Sequence, residues 1–394
     1  MTTENASALM TTYAPPAVRF MRGEGSWLFD DAGKRYLDLL NGLAVTSLGH
    51  AHPELAATIA EQAQKLWHVS NLFGNEHNEA LAATLDSLIA GDDAPAGKVF
   101  FTNSGAEANE CAIKLARKWG GRGRHVVVSA FGSFHGRTLA TLHATGQPQK
   151  HEAFQPLPGG FRHAEFNNLE DLERQLDESV AAILLEVVQG EGGVNPVSVE
   201  YLQGVQKLCR ERNILLMLDE VQTGLGRCGS WFAFQQYGVT PDVVTSAKAL
   251  GNGMPIGACW ARAEVADAYK PGDHGTTYGG QPLAAATARK VLEIMQREDV
   301  PARAQAQGAA IIAGLTGRPG IGDVRGLGLL IAVELDGVAS ADAQKLLLER
   351  GVVVNAVTPT ALRLAPSLLI SDDEVKLAVA SIVGAVGELL NSNS

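Results

Sequence analysis

Only four of the 394 residues are cysteine, and Cys111, Cys209, Cys228 and Cys259 are scattered, with no CxxC and no Cys/His pairing at metal-ligand spacing. That sets aside a disulfide framework and a Cys/His metal centre; no bound metal is expected, and free thiols in a reducing compartment are. Basic character is scarce as well. Lysine and arginine number 32 against 43 aspartate and glutamate, a net charge of −11, and no basic stripe occurs. A nucleic-acid binder needs such a stripe to displace counterions, so no nucleic-acid partner is expected. An acidic or phosphorylated ligand would have to be met by individual arginines. No apolar run approaches a membrane span, and the first residues, MTTENASALMTTYAPPAV, lack the basic and apolar regions of a secretory signal. The expectation is a cytoplasmic enzyme with no membrane partner.

What is present suits a large α/β domain plus a smaller one: 46% hydrophobic and 19% charged residues in a chain too long for one ordinary domain. The chain is organised around residues 214–257. ILLML, 214–218, is continuously apolar, the mark of a buried parallel strand, and it ends on Asp219 and Glu220. DVVTSA, 242–247, reads the same way and ends on Lys248. Ligands in open α/β sheets sit beyond the carboxyl ends of strands, so an acid and an amine would face one small molecule. An amine attacks a carbonyl only when deprotonated, and burial between an apolar strand and a Gly-rich turn lowers a lysine's pKa. A fixed carboxylate favours the protonated ring nitrogen that makes pyridoxal an electron sink. Schiff-base chemistry on Lys248, with Asp219 as the ring's partner, is one reading. A surface lysine, and an Asp-Glu pair that coordinates a metal or caps a helix, are the others.

The same stretch spells GxGxxG with Gly224, Gly226 and Gly229, and Asp242 stands near the offset of a ribose-binding acid. A dinucleotide fits this poorly. Asp219 to Gln222 intervene between strand and glycines, where anions would repel a pyrophosphate, and a short aromatic loop follows in place of a long crossover helix.

Elsewhere, residues 1–20 read as a loosely ordered arm, 27–38 as a hairpin, 41–50 as a strand and loop of small residues, and 53–67 and 77–89 as helices. VFFT, 99–102, breaks into Asn103-Ser104-Gly105-Ala106 at the head of a helix. Free N–H groups and the helix dipole make that an anion site; a simple N-cap at Ser104 is the alternative. The strand 125–130 leads to Phe134 and Arg137, either a ring platform with a carboxylate clamp or core and a surface ion pair. The loop 145–160 shows no period, and loops of that length are functional or mobile. A helix over 168–179, a strand over 181–186 and a helix over 198–212 complete a βαβ alternation from 99 to 261, a parallel sheet covered on both faces. After Pro271 come a hydroxyl- and Gly-rich loop with Thr276 and Thr277, a linking helix over 281–296, and helices near 300–316, 340–350 and 371–390 among strands at 324–335, 352–357 and 362–366. Arg363, on an apolar strand, wants a carboxylate partner from the protein or a substrate. The division expected is 1–55, an arm and segment contributing to the small domain; 56–275, the large α/β domain; and 276–394, the linking helix and small α+β domain.

NSGAEAN, FHGRT, LLEVVQGEGG, LMLDEVQTGLGR, SAKALGNGMPIGA, HGTTYGGQPL and LRLAP occur in the order of the class III, fold-type I aminotransferases that use pyridoxal phosphate. The resemblance runs from GSWLFDDAGKRYLDLLNG onward, and LGHAHPEL, SNLF, FHGRTLATL and TGQPQKHEAFQPLPGGF resemble the branch that acts on ornithine-type ω-amines. It implies a mostly parallel sheet of the seven-stranded type covered by helices, a smaller α+β domain, and pyridoxal 5'-phosphate as cofactor. It further implies amino-acid and 2-oxo-acid substrates and a homodimer with active sites at the subunit interface. Lys248 would be the Schiff-base lysine and Asp219 the partner of the pyridinium nitrogen. Phe134 and Val221 would sandwich the ring, Gln222 would approach its phenolic oxygen, and Glu220 belongs to the same cofactor-binding stretch. Ser104, Gly105 and Ala106 would bind the phosphate, helped by Thr277 of the partner subunit. Arg137 would hold a substrate carboxylate, Thr276 would assist across the interface, and Asn41 and Gly42 would line the pocket. Glu191 and Arg363 resemble the family's switch pair: with an ω-amine substrate Glu191 would neutralise Arg363, and with glutamate Arg363 would be released to bind the α-carboxylate. Val187, Asn252 and Ser367 depart from the family pattern without touching a charged role. An NAD-dependent oxidoreductase built on GLGRCG and a catalytically idle binding protein stand as alternatives.

Overall fold

In the computed structural model, residues 8–91 and 96–393 are described; the first seven residues of the expected arm lie outside them. Seven strands form the central sheet in the order Gly97–Thr102, Gly257–Arg262, Val243–Ser246, Leu215–Asp219, Val180–Glu186, Val126–Ala130, Phe161–Ala164. Every residue of the four strands starting at Val126, Val180, Leu215 and Val243 is buried, which is why apolar residues predominate in them, with only Ser129, Thr245 and Ser246 as polar residues besides the terminal Glu186 and Asp219. Their alternation still sorts the two faces. Val126, Val128, Ile183, Leu185, Leu216, Leu218 and Val244 belong to one core. Val127, Ala182, Leu184, Leu215, Met217 and Val243 belong to a second, completed by Cys111, Ala112, Leu115 and Ala116 of the helix Gly105–Gly120. Each fully buried Leu, Ile or Val contributes about 1.5–3 kcal/mol.

Two expectations about the sheet and its helices are corrected. The strand Gly257–Arg262 runs antiparallel to both neighbours, because the connection 247–256 is shorter than the dozen or so residues a parallel crossover takes. The helix expected over 168–179 spans only Leu169–Arg174; Asn168 caps it as expected, accepting from Asp171 N. The helix Val199–Arg212 matches its signals at both ends. Ser198 Oγ accepts from Tyr201 N at 3.1 Å, and Asn213 stops the helix in the left-handed region at φ 51°.

The segment 41–50 holds no strand. Asn41, Gly42, Leu43 and Ala44 form a left-handed turn with φ between 48° and 68°. Such backbone costs of order 1–3 kcal/mol per non-glycine residue and persists only when its surroundings hold it. Here Asp38 Oδ1 accepts from the amides of Leu40 and Asn41 at 2.9 and 2.8 Å.

Two four-stranded sheets and a two-stranded one, Val188–Gln189 with Asn195–Pro196, accompany the central sheet. One four-stranded sheet joins Phe20–Glu24, Trp27–Asp30 and Arg35–Asp38 to Val352–Val353, so the first strands pair with the C-terminal region. The other contains Ile321–Leu327, Leu330–Leu335, Ala361–Leu364 and Asn355–Ala356. The last helix, over Asp372–Ser392, is long and apolar enough to cross a membrane by length and composition, with a hydropathy of 1.4, which corrects the reading that no run approaches a span. It buries Val375, Ala378, Ile382, Ala385 and Val386, one face, against the helices Val300–Leu315 and Ser340–Glu349. All four cysteines are free and buried.

Candidate active site

The strands Val180–Glu186, Leu215–Asp219 and Val243–Ser246 lie side by side and run parallel, so Glu186, Asp219 and Lys248 are delivered at one edge of the sheet. They line a cavity of about 390 Å³ together with Ser104, Gly105, Ala106, Phe134, Arg137, Glu191, Val221 and Gln222. These strand ends share a ligand site because the chain must leave the sheet there, turning side chains and amides toward the crevice.

Lys248 follows its strand in the left-handed region at φ 40°. Burial pushes its amine down from 10.5 to about 8; the Arg363 charge adds to the shift, and Glu191, Asp219 and Glu186 oppose it. Asp219 is 4% exposed and held by three donors. Asn109 Nδ2 donates to its Oδ2 at 2.7 Å, His135 Nδ1 to the same oxygen at 2.8 Å, and Val221 N to Oδ1 at 3.1 Å. Asn109 is itself oriented by Thr245 Oγ1, which donates to its Oδ1 at 2.7 Å.

Ser104 answers both readings of the Asn103-Ser104-Gly105 motif. Its Oγ accepts from Glu107 N at 3.2 Å as an N-cap, while the amides of Gly105 and Ala106, in the first turn of the helix, have no intrahelical acceptor and line the cavity. Gly105 is required by close packing: a Cβ there would come within 2.7 Å of Val221 Cγ1. At the other wall, Phe134 N donates to Glu186 Oε2 at 2.9 Å and Gly190 N to Glu186 Oε1 at 3.4 Å. Burial pushes the Glu186 acid up to about 7; Asp219 adds to this, while His135 and the two amides oppose it.

Arg363 has found its carboxylate. It is 1% exposed, and its Nη1 donates to Glu191 Oε1 at 2.6 Å and to Gln222 Oε1 at 3.4 Å; Nη2 donates to Asn355 Oδ1 at 2.8 Å. Burial pushes the Glu191 acid up, but Arg363 first, then Lys248 and Lys150, overcome that and hold it below the ordinary carboxylate value. A half-buried acid thus neutralises a buried arginine, within electrostatic reach of the Lys248 amine.

Six of the residues named from sequence are outside the lining of this cavity; Arg363 reaches it only through Glu191 and Gln222. Glu220 turns away: its oxygens accept from Thr223 Oγ1 and from the amides of Ala233 and Phe234 at 3.1 and 2.9 Å, tying down the turn Ala233–Tyr237. Successive strand residues face opposite sides, so Asp219 and Glu220 cannot both serve the cavity. Asn41 and Gly42 sit in the left-handed turn; of that segment it is Val45 that lines the cavity. Thr276 and Thr277 line a different hollow, with Asn71 and Phe101, and within one protomer do not line the Lys248 cavity. The GxGxxG loop is a packing joint: a Cβ on Gly226 (φ 88°) would meet Val300 at 2.7 Å, and the buried Arg227 donates to Leu329 O, Pro366 O and Ser47 Oγ. That leaves no dinucleotide site in the loop. Sequence reasoning gave no role to His135, Asn109 or Glu186, although Glu186 carried the same signal as Asp219, an acid at the end of an unbroken apolar strand.

A large, mostly parallel seven-stranded sheet with helices on both faces, its ligand cavity at the strand ends, defines a fold-type I enzyme. Residues 10–386 match the family described as aminotransferase class-III, and the chain belongs to that family: it is an aminotransferase. It is 46% identical over 391 residues to an acetylornithine aminotransferase of Gloeobacter violaceus, covering 97% of this chain and 96% of that protein. It is 43% identical over 387 residues to the acetylornithine aminotransferase of Methanothermobacter thermautotrophicus, with 97% of each covered. Among solved structures it superposes on an ornithine aminotransferase from Toxoplasma gondii with a TM-score of 0.91 and 34% identity, over 98% of this chain and 94% of that one. On N-acetylornithine aminotransferase from Stenotrophomonas maltophilia the TM-score is 0.82 at 37% identity, over 96% and 98%.

Proposed function

We propose that the protein uses pyridoxal 5'-phosphate to transfer the terminal amino group of N2-acetyl-L-ornithine to 2-oxoglutarate, giving N-acetyl-L-glutamate 5-semialdehyde and L-glutamate, a step of arginine biosynthesis. The observation that carries this reading is the Glu191–Arg363 pair, 2.6 Å apart and beside Lys248, a device that one site needs when it takes two different substrates. The names of relatives at 41–46% identity support the donor.

The residues present fit the cofactor: an amine brought down to about 8 for its carbonyl, a buried carboxylate braced by three donors for its ring nitrogen, and first-turn amides at Gly105 and Ala106 for its phosphate. When bound, the cofactor supplies the electron sink that stabilises negative charge at the substrate carbon. Lys248 would tether it, and the amine, once displaced by substrate, would move the proton between substrate carbon and cofactor. Phe134 and Val221 would hold the ring's faces, with Gln222 near its phenolic oxygen. Arg137 would hold the carboxylate at the far end of either substrate. Glu191 would neutralise Arg363 while the uncharged chain next to the terminal amine of acetylornithine occupies the site, and would yield it to the α-carboxylate of glutamate.

A homodimer belongs to the same reading. Leu66, Trp67, Leu72, Phe73 and Tyr278 are exposed around the hollow that holds Thr276 and Thr277, an apolar surface that a second copy would cover. Thr276 and Thr277 of each subunit would then reach the other's cavity. A monomer by light scattering that retains full activity would overturn this. The pairing of Arg35–Asp38 with Val352–Val353 supports residues 1–55 contributing to the small domain, with 56–275 and 276–394 as the other units. Four buried free thiols suit the cytoplasm.

Two experiments test the reading. Adding N2-acetylornithine without an acceptor should bleach the visible band of the purified holoenzyme, and 2-oxoglutarate should restore it. A band that answers only to ornithine or 4-aminobutyrate would replace the donor; a protein that binds no pyridoxal phosphate would end the reading altogether. Gly105→Ala, which forces Val221 or the helix start to move, should raise the half-saturating pyridoxal phosphate concentration about tenfold by equilibrium titration. Unchanged affinity would separate the helix start from the phosphate site.

A further inference from the structure

Beside Phe134, which lines the cavity, stands a cation without a role in the chemistry above. The loop 145–160 is tied to the Phe134 turn: Gly146 N donates to Ser133 Oγ at 3.0 Å, Gln147 Nε2 to Ser133 O at 2.9 Å and Gly132 N to Gly146 O at 2.8 Å. These bonds place Lys150, at the end of the short turn Pro148–Lys150, over the ring of Phe134. Its Nζ is 5.4 Å from the ring centroid, and the guanidinium carbon of Arg137 is 5.5 Å from the same centroid. Both distances are within cation–π reach, so one aromatic side chain of the cavity wall holds two positive charges.

Neither charge is met by an acid. Among the described residues, neither Arg137 nor Lys150 is in an ion pair, whereas Arg363, the cation on the cavity's other side, is bonded to Glu191. Half-burial lowers the Lys150 amine from its ordinary value; the Arg137 charge adds to the shift, and Glu191 opposes it. Two like charges gathered at one ring, neither of them in an ion pair, raise the free energy of the empty site, and an anion arriving there relieves it. Both proposed substrates bring such an anion. N2-acetylornithine carries its α-carboxylate, and glutamate its γ-carboxylate, at the end away from the reacting nitrogen.

Building on the transaminase reading, we propose that Lys150 joins Arg137 in a two-cation seat for the substrate's distal carboxylate and so sets the preference for substrates that carry one. Arg137 can supply directed N–H donors and Lys150 a point charge on a flexible stem, a combination that tolerates the differing lengths of the two substrates. A purely structural Lys150 would need only its aliphatic stem on Phe134.

Lys150→Met keeps that stem and removes the charge. The dissociation constant of glutarate, a dicarboxylate that cannot react, should rise about tenfold by calorimetry on the holoenzyme, and KM for 2-oxoglutarate should rise by a similar factor, with the loss concentrated in KM rather than kcat. Lys150→Arg should recover most of the affinity, and the salt dependence of glutarate binding should be shallower in Lys150→Met than in the wild type. Glutarate affinity and KM within twofold of wild type in Lys150→Met would overturn the proposal, as would a loss confined to kcat, the mark of a packing role. If the protein binds glutarate through Lys150 yet transfers no amino group from any donor, the transaminase reading fails and the anion seat stands.

Discussion

Lys248→Ala should lower transamination by about four orders of magnitude, the upper range of what a positioned acid–base group supplies. The variant loses the amine that would be joined to the cofactor and that would move the proton, and Lys150, held over the ring of Phe134, is not among the residues that line the cavity. Borohydride treatment should fix pyridoxal phosphate to the wild type and leave the variant unlabelled. Turnover above about a hundredth of the wild-type rate, measured after excluding contaminating wild-type enzyme, would remove Lys248 from the chemistry. A second consequence follows without any cofactor. The Lys248 amine falls from 10.5 in the unfolded chain to about 8 on folding, so the folded state binds that proton more weakly than the unfolded state does. The resulting penalty is present in full below pH 8, and shrinks as pH rises from 8 to 10.5, because over that window the unfolded chain is protonated and the folded one is not. Lys248→Met should therefore make the cofactor-free protein more stable by about 3 kcal/mol at pH 7, and by less above pH 8, in denaturant titrations. Equal stability at all pH values would mean that the amine is not held in a desolvated site. A catalytic group whose removal stabilises the protein is the usual sign of strain kept for function.

What could be read from the sequence follows from where burial leaves a trace. A strand buried on both faces favours apolar residues, so residues 214–218 announced themselves, and the charged residues that follow the strands 214–218 and 242–247, Asp219 and Lys248, marked the site. Helix ends were equally legible at Ser198 and Asn213, where a side-chain oxygen and a left-handed residue do the capping. Side-chain direction was not. Asp219 and Glu220 are neighbours of like chemistry, and only the register of the sheet sends the first into the cavity and the second under the Ala233 turn. Strand direction left no trace in composition either: Gly257–Arg262 is as buried as the parallel strands of the same sheet, and the length of the preceding connection decides its sense. The left-handed turn at Asn41–Ala44 carries a single glycine, and its support comes from Asp38, three residues before it, so small residues there resembled a strand by a ligand. His135 and Asn109 were invisible as partners of Asp219 because each lies more than 80 residues away, joined to it by the packing of the Gly105–Gly120 helix and the Phe134 turn on one sheet.

Arg363→Met should separate the two halves of the reaction. Arg363 is 1% exposed and bonded to Glu191, Gln222 and Asn355, so its charge is already desolvated and directed when a substrate arrives. An α-carboxylate that takes the place of Glu191 would gain a buried, charge-assisted contact, and truncating one partner of such a pair costs about 2–5 kcal/mol. The half-reaction with glutamate, followed by stopped-flow absorbance under single-turnover conditions, should lose between about thirtyfold and several thousandfold in efficiency. The half-reaction with N2-acetylornithine, which needs Arg363 only in its neutralised form, should lose far less. Glu191→Gln makes the converse test. It strips the carboxylate that opposes the lowering of the Lys248 amine and leaves Arg363 permanently open. Glutamate should then bind more tightly, the apparent pKa of the free Lys248 amine should fall below about 8, and the acetylornithine half-reaction should slow because an unpaired guanidinium now faces its uncharged chain. Equal losses in both half-reactions from Arg363→Met would show that the pair holds the cavity together and does not choose between substrates. Opposite signs from Arg363→Met and Glu191→Gln on glutamate binding would show that the 2.6 Å ion pair is the element that lets one site accept a monoamine at one turn and an α-amino acid at the next.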